Sequence, residues 1–184
     1  MSNLEEKMLS SELIYDGRVV HLYVDKVELP DKNTSTREYI KHLGAVCIVP
    51  VTDEGEVVLV RQYRYAIGRE MLEIPAGKLD FAGEDPTEAA LRELREETGA
   101  VPKSFTFIGD YYGSPALISE RIWIYLAEGL EFGERELDED EFLTVEKIPL
   151  DVLVDMICKG EIADGKTQAA VLKVAQILKM RGDK

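Results

Sequence analysis

The run GAVCIVPV, residues 44–51, is apolar at nearly every position instead of at alternate ones. That pattern suits a central strand covered on both faces. A sheet containing such a strand needs a layer on each side, which leaves few architectures open. Upstream, SELIYDG, RVVHLYVDKVELP and STREYIKH alternate apolar and polar residues, with a turn at Asp31-Lys32-Asn33 before the third. They predict a small antiparallel sheet over residues 1–42. Downstream, EGEVVLVRQYR, REMLEIPAG, FTFIGDYY, RIWIYLAE and FLTVEKI are strand-like. Helices are expected over 85–99, 150–159 and 166–180, the last from Val171, Val174, Ala175 and Leu178 at helical spacing. Strands and helices interleave, so the expected class is α/β with a mixed sheet, residues 43–184 forming the main domain.

Charge narrows the function. The chain carries 36 acidic against 22 basic residues, a formal net charge of −14. Non-specific nucleic-acid binding depends on Lys and Arg neutralising phosphates, so it is not expected. A phosphate-bearing substrate would need a cation or a local basic patch; otherwise the acidity serves solubility. The N-terminal MSNLEEKMLSS has no basic n-region followed by an apolar core, and GAVCIVPV is far too short to span a bilayer. Cys47 and Cys158 form no CxxC pair and are expected to be small buried hydrophobes in a reducing compartment. A cytoplasmic protein is expected. His21 and His42 suggest no triad and read as structural.

The most concentrated chemistry lies in LRELREETGA, residues 91–100. Asp85 can cap a helix there, Pro86 suits its first position, Glu88 completes a capping box, and Gly99 suits a left-handed stop. At about 100° per residue, Ala90, Leu91, Leu94 and Thr98 form the core-facing arc, while Glu93, Glu96 and Glu97 share a separate one. Like charges at i,i+3 and i,i+4 cost only ~0.2–0.5 kcal/mol per pair on an exposed helix. The helix alone is therefore compatible with a solvated face or with a metal site. Upstream, Gly77 closes a strand and can present the Ala76 carbonyl towards the carboxylates. Oxygen donors of this kind suit a hard divalent cation, which can bridge acidic side chains to an anionic substrate.

The run from Gly77 to Ala100, GKLDFAGEDPTEAALRELREETGA, resembles the signature of the Nudix hydrolases. Glu84, Arg92, Glu93, Leu94, Glu96, Glu97 and Gly99 fall in register with it. The departures are six residues, not the signature's five, between Gly77 and Glu84, and a small aliphatic at Ala100. Outside this run, REYIKHLGAV (37–46), RQYR (61–64), EIPAGKLD (73–80), YGSPALISE (112–120) and ELDEDEF (136–142) are similar to the ADP-ribose pyrophosphatase branch. That branch more often has Gly-Phe where Ala116-Leu117 stands here.

The resemblance implies a Nudix-type α/β/α sandwich preceded by the small antiparallel sheet. It also implies magnesium-dependent hydrolysis of ADP-ribose to AMP and ribose 5-phosphate, with manganese as a possible substitute. Another nucleoside diphosphate sugar as substrate, or a non-catalytic nucleotide sensor, are the alternative readings. Glu93, Glu97 and the Ala76 carbonyl would hold the metal, Glu96 a further ion, and Arg92 would orient the glutamates. Arg64 would clamp phosphate, Pro115 would line the substrate, and Arg37 and Glu38 would reach it from the partner of a homodimer with exchanged N-terminal sheets. Glu139 would be the general base, with Glu141 beside it assisting metal and substrate.

Overall fold

The computed structural model describes residues 4–137 and 142–182, and the chain divides into two units. One unit takes in Met1–Gly44 and Tyr112–Glu120; the other takes in Ala45–Tyr111 and Arg121–Lys184.

In the first unit, β1 (Lys7–Asp16), β2 (His21–Glu28) and β3 (Thr34–Lys41) form an antiparallel sheet in that order. The β2–β3 turn closes through Lys32, at φ 73°, while the Asp31 carboxylate accepts from the Asn33 backbone N–H at 3.0 Å. Tyr23 and Tyr39 stack across the pair at 5.7 Å. The later segment joins along β3: the Ile40 N–H donates to the Leu117 carbonyl at 2.8 Å and the Ser119 N–H to the Ile40 carbonyl at 3.0 Å. Every residue of β1 is exposed, Met8, Leu9, Leu13, Ile14 and Tyr15 among them.

The second unit holds a mixed sheet built on β4 (Ala45–Val51), the all-buried run. The order is β10 (Leu143–Pro149), β5 (Glu56–Arg64), β4, β9 (Ile122–Phe132), β8 (Ala100–Tyr111). Only β4 and β9 run parallel among these pairs. The two faces of β4 enter different cores, as a strand with period two requires. Ala45, Cys47, Val49 and Val51 pack with Leu153 and Ile157 of α2 (Leu150–Cys158) and with Ala170, Val171 and Val174 of α3 (Gly165–Arg181). Val46 and Ile48 pack with Ala89, Ala90 and Leu94 of α1 (Pro86–Thr98). The result is an α/β/α sandwich. Cys47 is buried, but Cys158 is exposed at the end of α2, against the expectation that both lie inside.

REMLEIPAG is two strands. β6 (Arg69–Glu73) pairs with β5, and β7 (Ala76–Lys78) pairs with β4, setting Ala76 opposite Cys47 and Gly77 opposite Val46. The change of partner falls at Ile74-Pro75, where proline has no N–H to offer a ladder. The Pro75 carbonyl instead accepts from the Ile48 N–H at 2.9 Å. This switch brings β7 beneath α1, with Gly77 on the face that α1 covers and the Ala76 N–H within reach of Glu97. Among the described residues no helix is long and apolar enough to cross a membrane.

Candidate active site

α1 starts and stops where its sequence directs. Asp85 caps it by accepting from the Thr87 N–H at 2.7 Å, Pro86 opens it, and Gly99 ends it at φ 72°. The buried face differs from the expected arc. Ala89, Ala90, Glu93, Leu94, Glu97 and Thr98 are buried, whereas Leu91 is 37% exposed. The helix is therefore rolled so that two of its three clustered glutamates point inward, and the solvated-face account fails for Glu93 and Glu97.

The reason lies at β7. The Ala76 N–H donates to Glu97 Oε2 at 3.1 Å, tying that carboxylate to the strand. At Gly77 the Glu93 carboxylate lies so close that any β-carbon would collide with it. Only glycine permits this approach.

Arg92 gathers the rest of the cluster. It donates to Glu93 at 3.0 Å, to Glu96 at 3.1 Å and to Glu84 at 3.4 Å, and pairs with Asp80 at 3.2 Å. Partial burial disfavours its charge, but Glu93, Asp80 and Glu96 outweigh that and hold the guanidinium well above its ordinary pKa. Arg92 is thus a fixed cation whose hydrogen bonds set the carboxylate orientations.

Arg64, the expected phosphate clamp, makes a bidentate pair with Glu73 at 2.8 and 2.7 Å. That pairing is the first reason its pKa lies above the ordinary value; Asp164 and Glu97 also contribute, so Arg64 sits within electrostatic reach of the α1 cluster. Glu73 is 2% exposed and also contacts Lys166, which in turn pairs with Asp164 at 3.0 Å. Burial opposes ionisation of Glu73, yet Arg64 and Lys166 together lower its pKa.

Glu73, Lys166, Asp164 and Asp80 were absent from the sequence expectation. A signal existed for Glu73, a single charge within the apolar run MLEIP. Of the other expected residues, Arg37, Glu38 and Pro115 belong to the first unit. Arg37 is paired there with Glu6, its Nε donating at 2.8 Å, and Glu38 and Pro115 are exposed. The two histidines are structural in their contacts: His21 bonds Asp16 at 2.6 Å, and His42 Nδ1 accepts from the Gly44 N–H at 3.0 Å. Glu139 and Glu141 lie outside the described residues.

The cluster fits a hard divalent cation. Asp80, Glu84, Glu93 and Glu96 share one guanidinium, and the buried Glu97 stands on the same helix tied to the Ala76 N–H, leaving excess negative charge around α1. Among the described residues no three His, Cys, Asp or Glu side chains form a ready cage. Magnesium ordinarily takes one or two carboxylates with waters and substrate phosphates, and Glu93 and Glu97 offer that number.

Fold and site together define a class: an α/β/α sandwich whose first helix presents an all-oxygen donor set beside a glycine-bearing strand. The NUDIX domain matches residues 41–169, and the nucleoside diphosphate sugar hydrolase N-terminal domain matches residues 6–40. The chain belongs to the Nudix hydrolase family. It is 46% identical over 173 residues to an ADP-ribose pyrophosphatase of Bacillus subtilis (strain 168), covering 93% of each chain. It is 44% identical over 179 residues to a methanol dehydrogenase activator of Bacillus methanolicus, covering 95% of this chain and 96% of that one. A solved ADP compounds hydrolase superposes with a TM-score of 0.86 at 26% identity over the whole of both chains. Nudix hydrolases are generally dependent on a divalent metal.

The Gly77 contact yields a direct test. Gly77→Ala should displace the Glu93 carboxylate and lower turnover by about 10²-fold, the usual scale for small misplacements. Far-UV circular dichroism should stay unchanged. Wild-type turnover in this variant would show that the close approach has no part in the chemistry.

Proposed function

We propose that this chain is a cytoplasmic, magnesium-dependent ADP-ribose diphosphatase that adds water across the pyrophosphate to give AMP and ribose 5-phosphate. The observation carrying this reading is the buried pair Glu93 and Glu97, one turn apart and held against Ala76 and Gly77. The names of the Bacillus subtilis relative and of the solved neighbour support the substrate class. Ala116-Leu117, where the resembling branch more often has Gly-Phe, keeps other nucleoside diphosphate sugars as the second reading, which a substrate panel separates.

Glu93, Glu97 and the Ala76 carbonyl would hold magnesium, or manganese in its place, with Glu96 available to a further ion. When bound, the cation neutralises phosphate oxygens and makes a coordinated water more acidic. Arg92 keeps Glu93, Glu96 and Glu84 in orientation through charge-assisted hydrogen bonds. Arg64 clamps a substrate phosphate with its planar fork. Pro115 lines the substrate, and Arg37 and Glu38 reach adenine or ribose from the second copy of a homodimer. The exposed apolar side chains of β1 supply a motive for that dimer. Glu139 takes the proton of the attacking water, with Glu141 assisting; residues bound to a cation are poor proton acceptors, so the base must stand apart from the α1 glutamates.

ADP-ribose should be cleaved to AMP and ribose 5-phosphate only with added magnesium or manganese. Full turnover in verified metal-free protein would overturn the metal assignment. Glu97→Gln should reduce kcat by at least about 10–100-fold while changing the thermal midpoint little. Glu139→Gln should lower kcat by ~10²–10⁴-fold with KM nearly constant. Near-normal turnover there, with collapse in Glu141→Gln, would move the base by two residues. Sedimentation equilibrium should find a dimer, and a fully active monomer at assay concentration would remove Arg37 and Glu38 from the site.

A further inference from the structure

Glu73 is a buried carboxylate to which the mechanism above gives no part, and it holds two cations of different character. Arg64 grips it with two hydrogen bonds, and Lys166 approaches from the first turn of α3. The Arg64 side chain is 40% exposed and the Lys166 side chain 12%. Lys166 is pinned from behind. Asp164 pairs with it at 3.0 Å, caps α3 by accepting from the Thr167 N–H at 2.9 Å, and accepts from the Thr167 hydroxyl at 2.5 Å. The same hydroxyl oxygen accepts from the Ile74 N–H at 2.9 Å, fastening α3 to the residue after Glu73. Arg64 has no comparable anchor among the hydrogen bonds of the described residues beyond Glu73 itself.

We propose that Lys166 is a positioning residue that remains on Glu73 while Arg64 exchanges Glu73 for a phosphate of the substrate. The proposal rests on the reading of Arg64 as the phosphate clamp. A buried carboxylate that loses its only partner is strongly destabilised, so a pair of Arg64 and Glu73 alone would resist opening. With Lys166 resident, Glu73 keeps a counter-charge when the guanidinium turns away. The division suits the two side chains. The guanidinium fork matches a phosphate bidentately, and a compact ammonium can satisfy a carboxylate from one side. Lys166 therefore weakens Glu73's hold on Arg64 without touching the substrate.

The test compares variants in steady-state hydrolysis of ADP-ribose at saturating magnesium, and in calorimetric binding of its α,β-methylene analogue under the same conditions. Arg64→Gln should raise KM, and an unchanged KM would sink the clamp reading and the exchange with it. Lys166→Met should raise KM and the Kd of the analogue by ~10–100-fold with little change in kcat, as loss of uniform binding requires. Lys166→Arg should recover most of that loss. Adding Glu73→Gln to Lys166→Met should also restore affinity, because no buried charge then competes for Arg64. A strut that only stabilises the fold predicts the opposite: the double variant would be worse than either single one. Unchanged KM and Kd in Lys166→Met, with Arg64→Gln impaired, would overturn the exchange alone. If Lys166→Met does not fold, Glu73→Gln decides: binding at least as tight as wild type supports the exchange, and weaker binding overturns it.

Discussion

A carboxylate taken out of water costs several kcal/mol unless charge and hydrogen bonds are returned to it, and α1 buries two of them on its inner face. The surroundings are arranged around that cost. Glu97 receives the Ala76 N–H, Glu93 receives Arg92, and Gly77, which has no side chain, leaves room. Those returns are partial, because one guanidinium serves four carboxylates and the chain as a whole is strongly acidic. A divalent cation carrying an anionic substrate would complete the balance. The negative charge that by itself repels a phosphate ligand would then draw the cation that recruits it.

The sheet topology makes this arrangement possible. Had β6 continued straight past Glu73, Ala76 and Gly77 would have stayed beside β5. Pro75 interrupts the ladder, and β7 resumes on β4, directly under α1. The same break leaves Glu73 and Ile74 at the edge facing α3, where Lys166 and Thr167 meet them. One change of strand partner thus links both helical layers to the site: α1 through Gly77 and α3 through Glu73.

What was legible in the sequence follows the range of the interactions concerned. Local rules placed α1 correctly, since Asp85, Pro86 and Gly99 act within a few residues of themselves. The continuous apolar run gave β4 its central, doubly covered place. Helical periodicity misses by one step on α1: it places Leu91 in the core, but Ala89 is buried and Leu91 is not. Hydrophobic spacing cannot anticipate a strand glycine that admits glutamates on the neighbouring arc. The network of Glu73, Lys166 and Asp164 spans 93 residues between Glu73 and Lys166, and no local pattern encodes it. The attachment of Tyr112–Glu120 along β3 is likewise long-range: two backbone hydrogen bonds at Ile40 are joined by the His42 N–H donating to Ser119 Oγ and by the pairing of His42 with Glu120, partners far apart in the chain.

The loop between Gly77 and Glu84 shows how a departure from a family pattern can leave the site intact. It is one residue longer than the signature, which could have carried Glu84 away from the cluster. Instead a tight turn holds Glu84 in place. The Glu84 N–H donates to the Phe81 carbonyl at 3.2 Å, and its carboxylate accepts from the Asp80 N–H at 2.6 Å. Closing a slightly longer loop adds little entropy cost, so these contacts suffice to fix it. The other carboxylate oxygen of Glu84 still meets Arg92, and the turn brings Asp80 to the same guanidinium. The loop therefore keeps Glu84 on Arg92 and places Asp80 there as well, both contributing to the charge excess that a cation would offset.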